Sequence, residues 1–230
     1  SGLLTDVTID GSVTNICDSA LEYNYSDRVL SDIYYDGTLE QWGMIEGNDI
    51  YGVIVHCKDG NVNPGGICGA NVTWSLADGT LTISGYGDMF DAGGVYEWGW
   101  SKFADRIENI VIEDGVESIS DFAFSNLANL KTASISASVE RIGLIPFEGC
   151  ERLETINVDE DNMDFCSIDG VLFNKDKTAL VAYPTNKPDS SFVIPDGIEK
   201  VGFGAFQAAE NLQSITIPAS GEEIDSLALD

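Results

Sequence analysis

Histidine is almost absent: His56 is the only one in 230 residues. One imidazole leaves no Ser–His–Asp or Cys–His constellation unless a nucleophile is brought to it. It lies in a strand-like run, Val53-Ile-Val-His56, where a structural role is expected. Basic residues are scarce as well, with 11 Lys and Arg against 39 Asp and Glu and a formal net charge of −28. A surface of that sign repels phosphate backbones and anionic lipid, which excludes nucleic acid as a partner. It favours solubility, cations or a basic partner. The five cysteines are odd in number and contain no C-x-x-C pair, so no metal site is expected from them. No apolar run approaches the roughly 20 residues of a membrane span, so membrane insertion is not expected. There is no Walker-type loop and no dinucleotide fingerprint. Acidic residues are so abundant that no carboxylate pair stands out for glycosidase chemistry. The chain opens Ser-Gly-Leu-Leu without Met, which fits removal of a leader, and no C-terminal anchor motif is visible.

What the chain does have is rhythm. Ile112, Val116, Ile119, Phe122, Phe124, Leu127 and Leu130 are each followed 23 residues later by an apolar side chain, from Ile135 to Leu153. An offset of 82 carries Ile112, Val116, Ile119, Phe124 and Leu130 onto Ile194, Ile198, Val201, Phe206 and Leu212. A weaker copy, Val7, Ile9, Val13, Ile16, Ala20 and Leu21, lies 103 residues before the first. A fixed period of this size marks a stacked repeat. Within one unit, Ile110-Val-Ile112 and Ile215-Thr-Ile217 alternate as short half-buried strands do. Asp114-Gly115 and Asp196-Gly197 then turn the chain. One such unit cannot cover its own apolar face, so it needs neighbours above and below.

The stretch Val-Glu-Ser-Ile-Ser-Asp-Phe-Ala-Phe (116–124) and Ile-Pro-Asp-Gly-Ile-Glu-Lys-Val-Gly-Phe-Gly-Ala-Phe (194–206) resembles the BspA-like class of leucine-rich repeats. Ile33-Tyr-Tyr-Asp-Gly-Thr-Leu-Glu-Gln-Trp42 resembles the segment that often closes such an array. Cys68-Gly-Ala-Asn-Val-Thr-Trp74 with Gly79-Thr-Leu-Thr-Ile-Ser-Gly85 resembles the β module that often precedes one. The resemblance implies a leucine-rich repeat solenoid: a right-handed β/α superhelix of short parallel strands with irregular or short helical returns, plus a small antiparallel β cap module. It also implies a bacterial cell-surface or secreted protein used in adhesion, although fold alone does not fix function.

The expected organisation has three parts. Residues 1–60 hold the degenerate first repeat and its closing piece, with Tyr34, Tyr35 and Trp42 as an aromatic lid. Residues 61–106 hold a turn-rich linker, 58–67 at its core, and the cap module, with Gly85–Gly94 as a loop. Residues 107–230 form the array, interrupted near 165–184 by a hairpin insertion similar to one in the same family. Trp98 and Trp100 are either core residues or a sugar-stacking pair. Cys150 and Cys166 are expected to be buried, whereas Cys57 and Cys68 flank a Gly-rich loop and are candidates to pair.

The strand face turned away from the core is the expected binding surface. In register it presents Val111, Ser134, Asn157, Val193 and Thr216, with Thr132, Thr155 and Ser214 beside them. The ligand-binding candidates are therefore Thr132, Ser134, Thr155, Asn157, Ser214 and Thr216. The expected partner is a protein, such as a host extracellular-matrix or surface protein, met by a monomer. No catalytic residue and no resident cofactor are expected. Weak calcium binding is considered at Asp159, Asp161 and Asp164, and Asp88 with Asp91 forms a second cluster, but neither follows the EF-hand pattern. Asn24-Tyr-Ser26 and Asn71-Val-Thr73 fit the glycan-acceptor triplet, which is also common by chance. A spacer that displays another domain, or a carbohydrate binder using the Trp-bearing cap, are the competing readings.

Overall fold

A computed structural model describes residues 5–17, 20, 30–45, 53–91 and 98–229. Leu21, Ala92–Gly94 and the Asn24-Tyr-Ser26 triplet lie outside the described residues. The chain forms two compact units, one of Ser1–Gly66 with Ser75–Ala77, the other of Ile67–Trp74 with Asp78–Asp230.

In the first unit the strands Asp6–Asp10, Asp32–Asp36 and Ile54–Cys57 run parallel, and Gly60–Val62 returns antiparallel to the third. The alternation of each strand sends Ile9, Ile33, Tyr35, Val53 and Val55 inward to a core completed by Trp42 and Ile45. Trp42 is carried by a one-turn helix, Leu39–Gly43. Its start is a reciprocal capping box: the Gln41 backbone N–H donates to Thr38 Oγ1, and the Thr38 backbone N–H donates to Gln41 Oε1. The aromatic trio divides here. Tyr35 and Trp42 meet edge to face inside the core at 5.3 Å, whereas Tyr34, one residue over, points out to solvent.

The second unit is built on ladders of equivalent strands. Thr80–Gly85, Asn109–Ile112, Thr132–Ile135 and Thr155–Val158 pair in parallel with successive coils in register. Leu81, Ile110, Ala133 and Ile156 form one buried row, and Ile83, Ile112 and Ile135 the next. A second parallel ladder runs through Gly87–Asp88, Val116–Ile119 and Arg141–Ile142. The return leg is therefore a short strand followed by turns. Among the described residues, helical structure is limited to Leu39–Gly43 and a 3-10 segment, Ser101–Arg106. The helical part of the expected β/α superhelix is thus reduced to these pieces, and the returns at Val116–Ile119 and Arg141–Ile142 are short strands paired coil to coil instead. Two stretches read as irregular also gain strands: Gly87–Asp88 within 85–94, and Gly60–Val62 and Gly65–Ile67 within 58–67.

The hairpin insertion follows the fourth coil strand. Phe165–Ile168 and Val171–Asn174 pair antiparallel, and Ala179–Ala182 adds to the second. The last of these then opens a further parallel ladder, through Lys200–Val201 and, beyond it, Glu223–Ile224, in a sheet separate from the first return ladder. Val171, Phe173 and Leu180 share a core with Ile194, Ile198, Val201 and Phe206. The turn of the hairpin uses Gly170 at φ +77°, where a Cβ would stand 2.6 Å from Thr155 Oγ1. Lys187, buried against the same region, places its ammonium 3.0 Å from both Asp169 and Asp189. Burial works against its charge, but the two carboxylates more than offset that and raise its pKa.

The coils are also tied by polar side chains at the repeat spacing. Ser138 Oγ accepts from the Gly115 N–H at 2.9 Å and donates to the Val116 carbonyl at 2.8 Å. Ser220 Oγ does the same with Gly197 and Ile198, at 3.1 and 2.9 Å. Gly115 and Gly197 have φ values of +101° and +97°, which only glycine adopts easily. Each serine thus occupies the space beside a glycine turn one coil back. Ser138→Ala and Ser220→Ala are each expected to lower stability by about 1 kcal/mol, the net worth of such a bond. Because the two sites lie on separate coils, their effects should add in a urea-melt comparison of single and double variants.

In the third full coil the same place is taken by Asn162, which is completely buried. Its Nδ2 donates to the Ser136 and Val139 carbonyls at 2.8 and 2.9 Å. Its Oδ1 accepts from the backbone N–H groups of Asp164 and Phe165 at 2.9 and 2.7 Å. All four bonds of a primary amide are made.

Candidate functional site

The outward rows of the main ladder are built by strand alternation. Thr82, Val111, Ser134 and Asn157 stand in one register row; Thr80, Asn109, Thr132 and Thr155 stand in the row beside it. The four predicted residues Thr132, Ser134, Thr155 and Asn157 are therefore brought together on adjacent strands. Ser214 and Thr216 are not part of this ladder. They pair with Ser191 and Val193 in a separate two-stranded parallel sheet. The hairpin insertion is the reason: Gly170 gives its carbonyl to the Ile156 N–H, and Ser167 Oγ donates to the Ile156 carbonyl at 2.6 Å. Those bonds occupy the edge on which a fifth coil strand would pair. The single continuous face expected from the period is thus two faces.

Chemically, the main face is neutral and hydroxyl- or amide-bearing. Thr132 Oγ1 donates to Asn109 Oδ1 at 2.7 Å, so neighbouring coils are linked on the surface itself. Charged residues border it. Glu108, Lys131 and Glu154 precede the strands, with Lys131 Nζ 2.7 Å from Glu108 Oε2. Glu113 and Asp159 follow the strands and are exposed. The hydrogen bond and charge of Lys131 hold the Glu108 carboxyl below its usual range, so it stays ionised at neutral pH.

Groups that could do chemistry are spent on structure. His56 Nε2 lies 2.7 Å from Asp32 Oδ1 and Nδ1 lies 3.2 Å from Asn61 Oδ1, so both ring nitrogens have partners. All five thiols are free, including Cys57 and Cys68, the pair considered for a bridge. Burial pushes the Cys68 and Cys150 thiols up to about 12, which keeps them protonated and unreactive. In the acidic turn, Asp159 accepts the Asp161 N–H at 2.9 Å and Asn162 organises the backbone. Among the described residues no group of three His, Cys, Asp or Glu side chains is placed to hold a metal ion. Trp100 is buried: its Nε1 donates to the Ala123 carbonyl at 3.2 Å and its ring stacks on Phe124. Trp98 lies flat on Trp100 with ring centroids 4.8 Å apart, so each ring covers one face of the other. Among the described residues no helix is long and apolar enough to cross a membrane.

The model of the BspA type leucine rich repeat region matches residues 101–186 and 181–230, in six copies. The chain belongs to the BspA type leucine rich repeat family. Membership of this BspA type family suggests a protein-interaction role, and such repeat proteins are generally non-catalytic. No curated protein matches the chain. Three solved structures are similar. A leucine-rich repeat protein from Eubacterium ventriosum is 22% identical, with 73% of this chain and 63% of that one covered and a TM-score of 0.37. The chain thus spans under two thirds of that relative. The pneumococcal vaccine antigen PcpA is 17% identical over 66% of this chain and 70% of its own, with a TM-score of 0.39. A leucine rich cell surface protein from Faecalibacterium prausnitzii is 18% identical over 97% and 70%, with a TM-score of 0.42.

Proposed function

We propose that this chain is a non-catalytic binding protein of the bacterial surface or secreted fraction. Its main strand ladder takes an extended segment of a host or microbial protein, in the manner of an adhesin. The observation that carries this reading is the alignment of Thr132, Ser134, Thr155 and Asn157 across adjacent coils as an uncharged strip between charged borders. Such a strip offers hydrogen bonds at the strand spacing without a desolvation cost for charge. No resident cofactor enters this reading, and the monomer is the acting species.

The test is solid-phase binding of the whole chain to intact host cells and to a panel of extracellular-matrix proteins. Ser134→Arg combined with Asn157→Arg places two bulky cations on the strip while leaving the buried rows untouched. The double variant is expected to lose at least tenfold in affinity, about 1.4 kcal/mol, with an unchanged melting temperature. Ser214→Arg with Thr216→Arg, on the other sheet, should have the smaller effect. Equal binding by all three proteins would refute the assignment to this face. Absence of binding by the unaltered chain would favour the spacer reading.

A further inference from the structure

The first unit carries a second surface, independent of the main ladder. Its outward row is Thr8, Tyr34 and His56, paired in register on three parallel strands. The rings of Tyr34 and His56 are stacked, with centroids 4.6 Å apart and planes 13° from parallel. The imidazole is fixed from behind. Asp32, buried on the adjacent strand two residues before Tyr34, holds Nε2 at 2.7 Å, and Ser31 Oγ donates to its other oxygen at 2.6 Å. Asn61 lies against Nδ1. Tyr34 therefore rests on a rigid backing and cannot fold away without breaking it.

Tyr34 is nonetheless 47% exposed. One of its faces is covered by the imidazole, so the exposure belongs to its edge and its other face, which looks along the row toward the small side chain of Thr8. The same strand as Thr8 presents Asp6 and Asp10, both exposed and both on the outward side. Alternate residues of a strand are about 6.6 Å apart, so the two carboxylates flank the open ring on either side. Among the described residues Asp6 accepts from Thr5 Oγ1, at 2.9 Å, and Asp10 accepts the Ser12 N–H at 2.9 Å. Those hydrogen bonds from Ser12 hold Asp10 below the usual carboxylate range, and it stays charged. The surface already binds one cation of its own: Lys58 Nζ lies 2.6 Å from Asp36 Oδ1, on the register partner of Asp10.

We propose that this sheet face docks a basic segment of a partner protein, with one arginine guanidinium lying on the open face of Tyr34 between Asp6 and Asp10. Charge complementarity selects the partner. An aromatic face attracts a cation, more strongly for the planar guanidinium that stacks, and two carboxylates supply its hydrogen-bond acceptors. The neutral strip of the second unit lacks both features, so the two surfaces read different chemistry.

The uniqueness of His56 makes the test direct. With histidine alone labelled with carbon-13, its two imidazole carbon-bound protons are read without interference or assignment, and they sit against the ring in question. A tri-arginine peptide is titrated into the full chain at about 0.15 M salt, where charges more than roughly 8 Å apart are screened. A saturable shift of both His56 signals is expected. Tyr34→Leu, which keeps an apolar side chain of similar size, should weaken the peptide at least tenfold. Asp6→Asn with Asp10→Asn should weaken it several-fold. Glu222→Gln, in the second unit, should leave it unchanged. A peptide in which citrulline replaces arginine should produce no saturable shift. The proposal is overturned if the His56 signals do not move, if Tyr34→Leu binds as tightly while its circular-dichroism melt matches the unaltered chain, or if citrulline serves equally.

Discussion

Phe124→Ala is expected to lower the stability of the repeat unit by about 3–5 kcal/mol, the range for emptying a large aromatic site in a close-packed core. Phe124 is wholly buried and central in a run of rings. It stacks on Trp100 with centroids 6.0 Å apart and on Phe147 at 5.8 Å. Truncation removes both contacts and leaves the Trp100 ring, with its bond to the Ala123 carbonyl, unsupported on one side. Phe206 is its repeat equivalent but packs among Tyr183, Phe192 and other residues beyond the insertion. Phe206→Ala should therefore cost a similar amount without sharing the same cavity, and the two losses should add. Chemical denaturation reads both, followed by tryptophan fluorescence at the first site, where Trp98 and Trp100 report, and by circular dichroism at the second. A loss under 1 kcal/mol at Phe124 would mean that the ring is not part of the interior.

The second large effect is expected at Asn162. Asn162→Asp changes one atom type and almost no volume, yet it should cost about 3 kcal/mol or more at neutral pH, since two buried carbonyls lose their donor at about 1–3 kcal/mol each. The added oxygen faces Ser136 O and Val139 O, both acceptors. Folding then favours the protonated acid, so the folded pKa of this carboxyl lies above its unfolded value. The folded state holds more protons than the unfolded one, and the stability of the variant falls as pH rises. The difference between N162D and the unaltered chain should accordingly shrink as pH is lowered from 7 toward 4. Asn162→Ala loses the same bonds with no titrating group, and its penalty should show no such trend. Urea melts of the three proteins at several pH values decide the matter. A pH-independent deficit in N162D would show that its carboxyl does not face the two carbonyls.

The period of 23 located the buried rows because coil-to-coil contacts repeat identical geometry, and apolar burial leaves a mark at every turn. The hairpin near 165–184 was legible through its resemblance to an insertion of the same family, carried by Asp169-Gly-Val-Leu-Phe173 and the Lys175-Asp176 turn. What the period hid was the effect of that hairpin on register. Val193 and Thr216 keep the phase of Val111 and Ser134, but phase in sequence does not require pairing in space once Gly170 and Ser167 occupy the edge. Asn162 was missed for a different reason. It sits in Asp159-Glu-Asp-Asn-Met-Asp164, where a row of carboxylates draws attention to cations, and a single amide among them carries no compositional signal. Its equivalence to Ser138, at an offset of 24, breaks the period by one residue. Lys187 was invisible because its two carboxylate partners come from separate turns. In the first unit, Tyr34 and Tyr35 were read together as a lid, although alternation alone sends adjacent strand residues to opposite sides.

The free state of all five cysteines has a practical corollary. Among the described residues no disulfide ties the fold, so its stability does not rest on one. Adding dithiothreitol should leave its unfolding curve where it was, and alkylating reagents should mark Cys17 at the surface long before they reach Cys68 or Cys150.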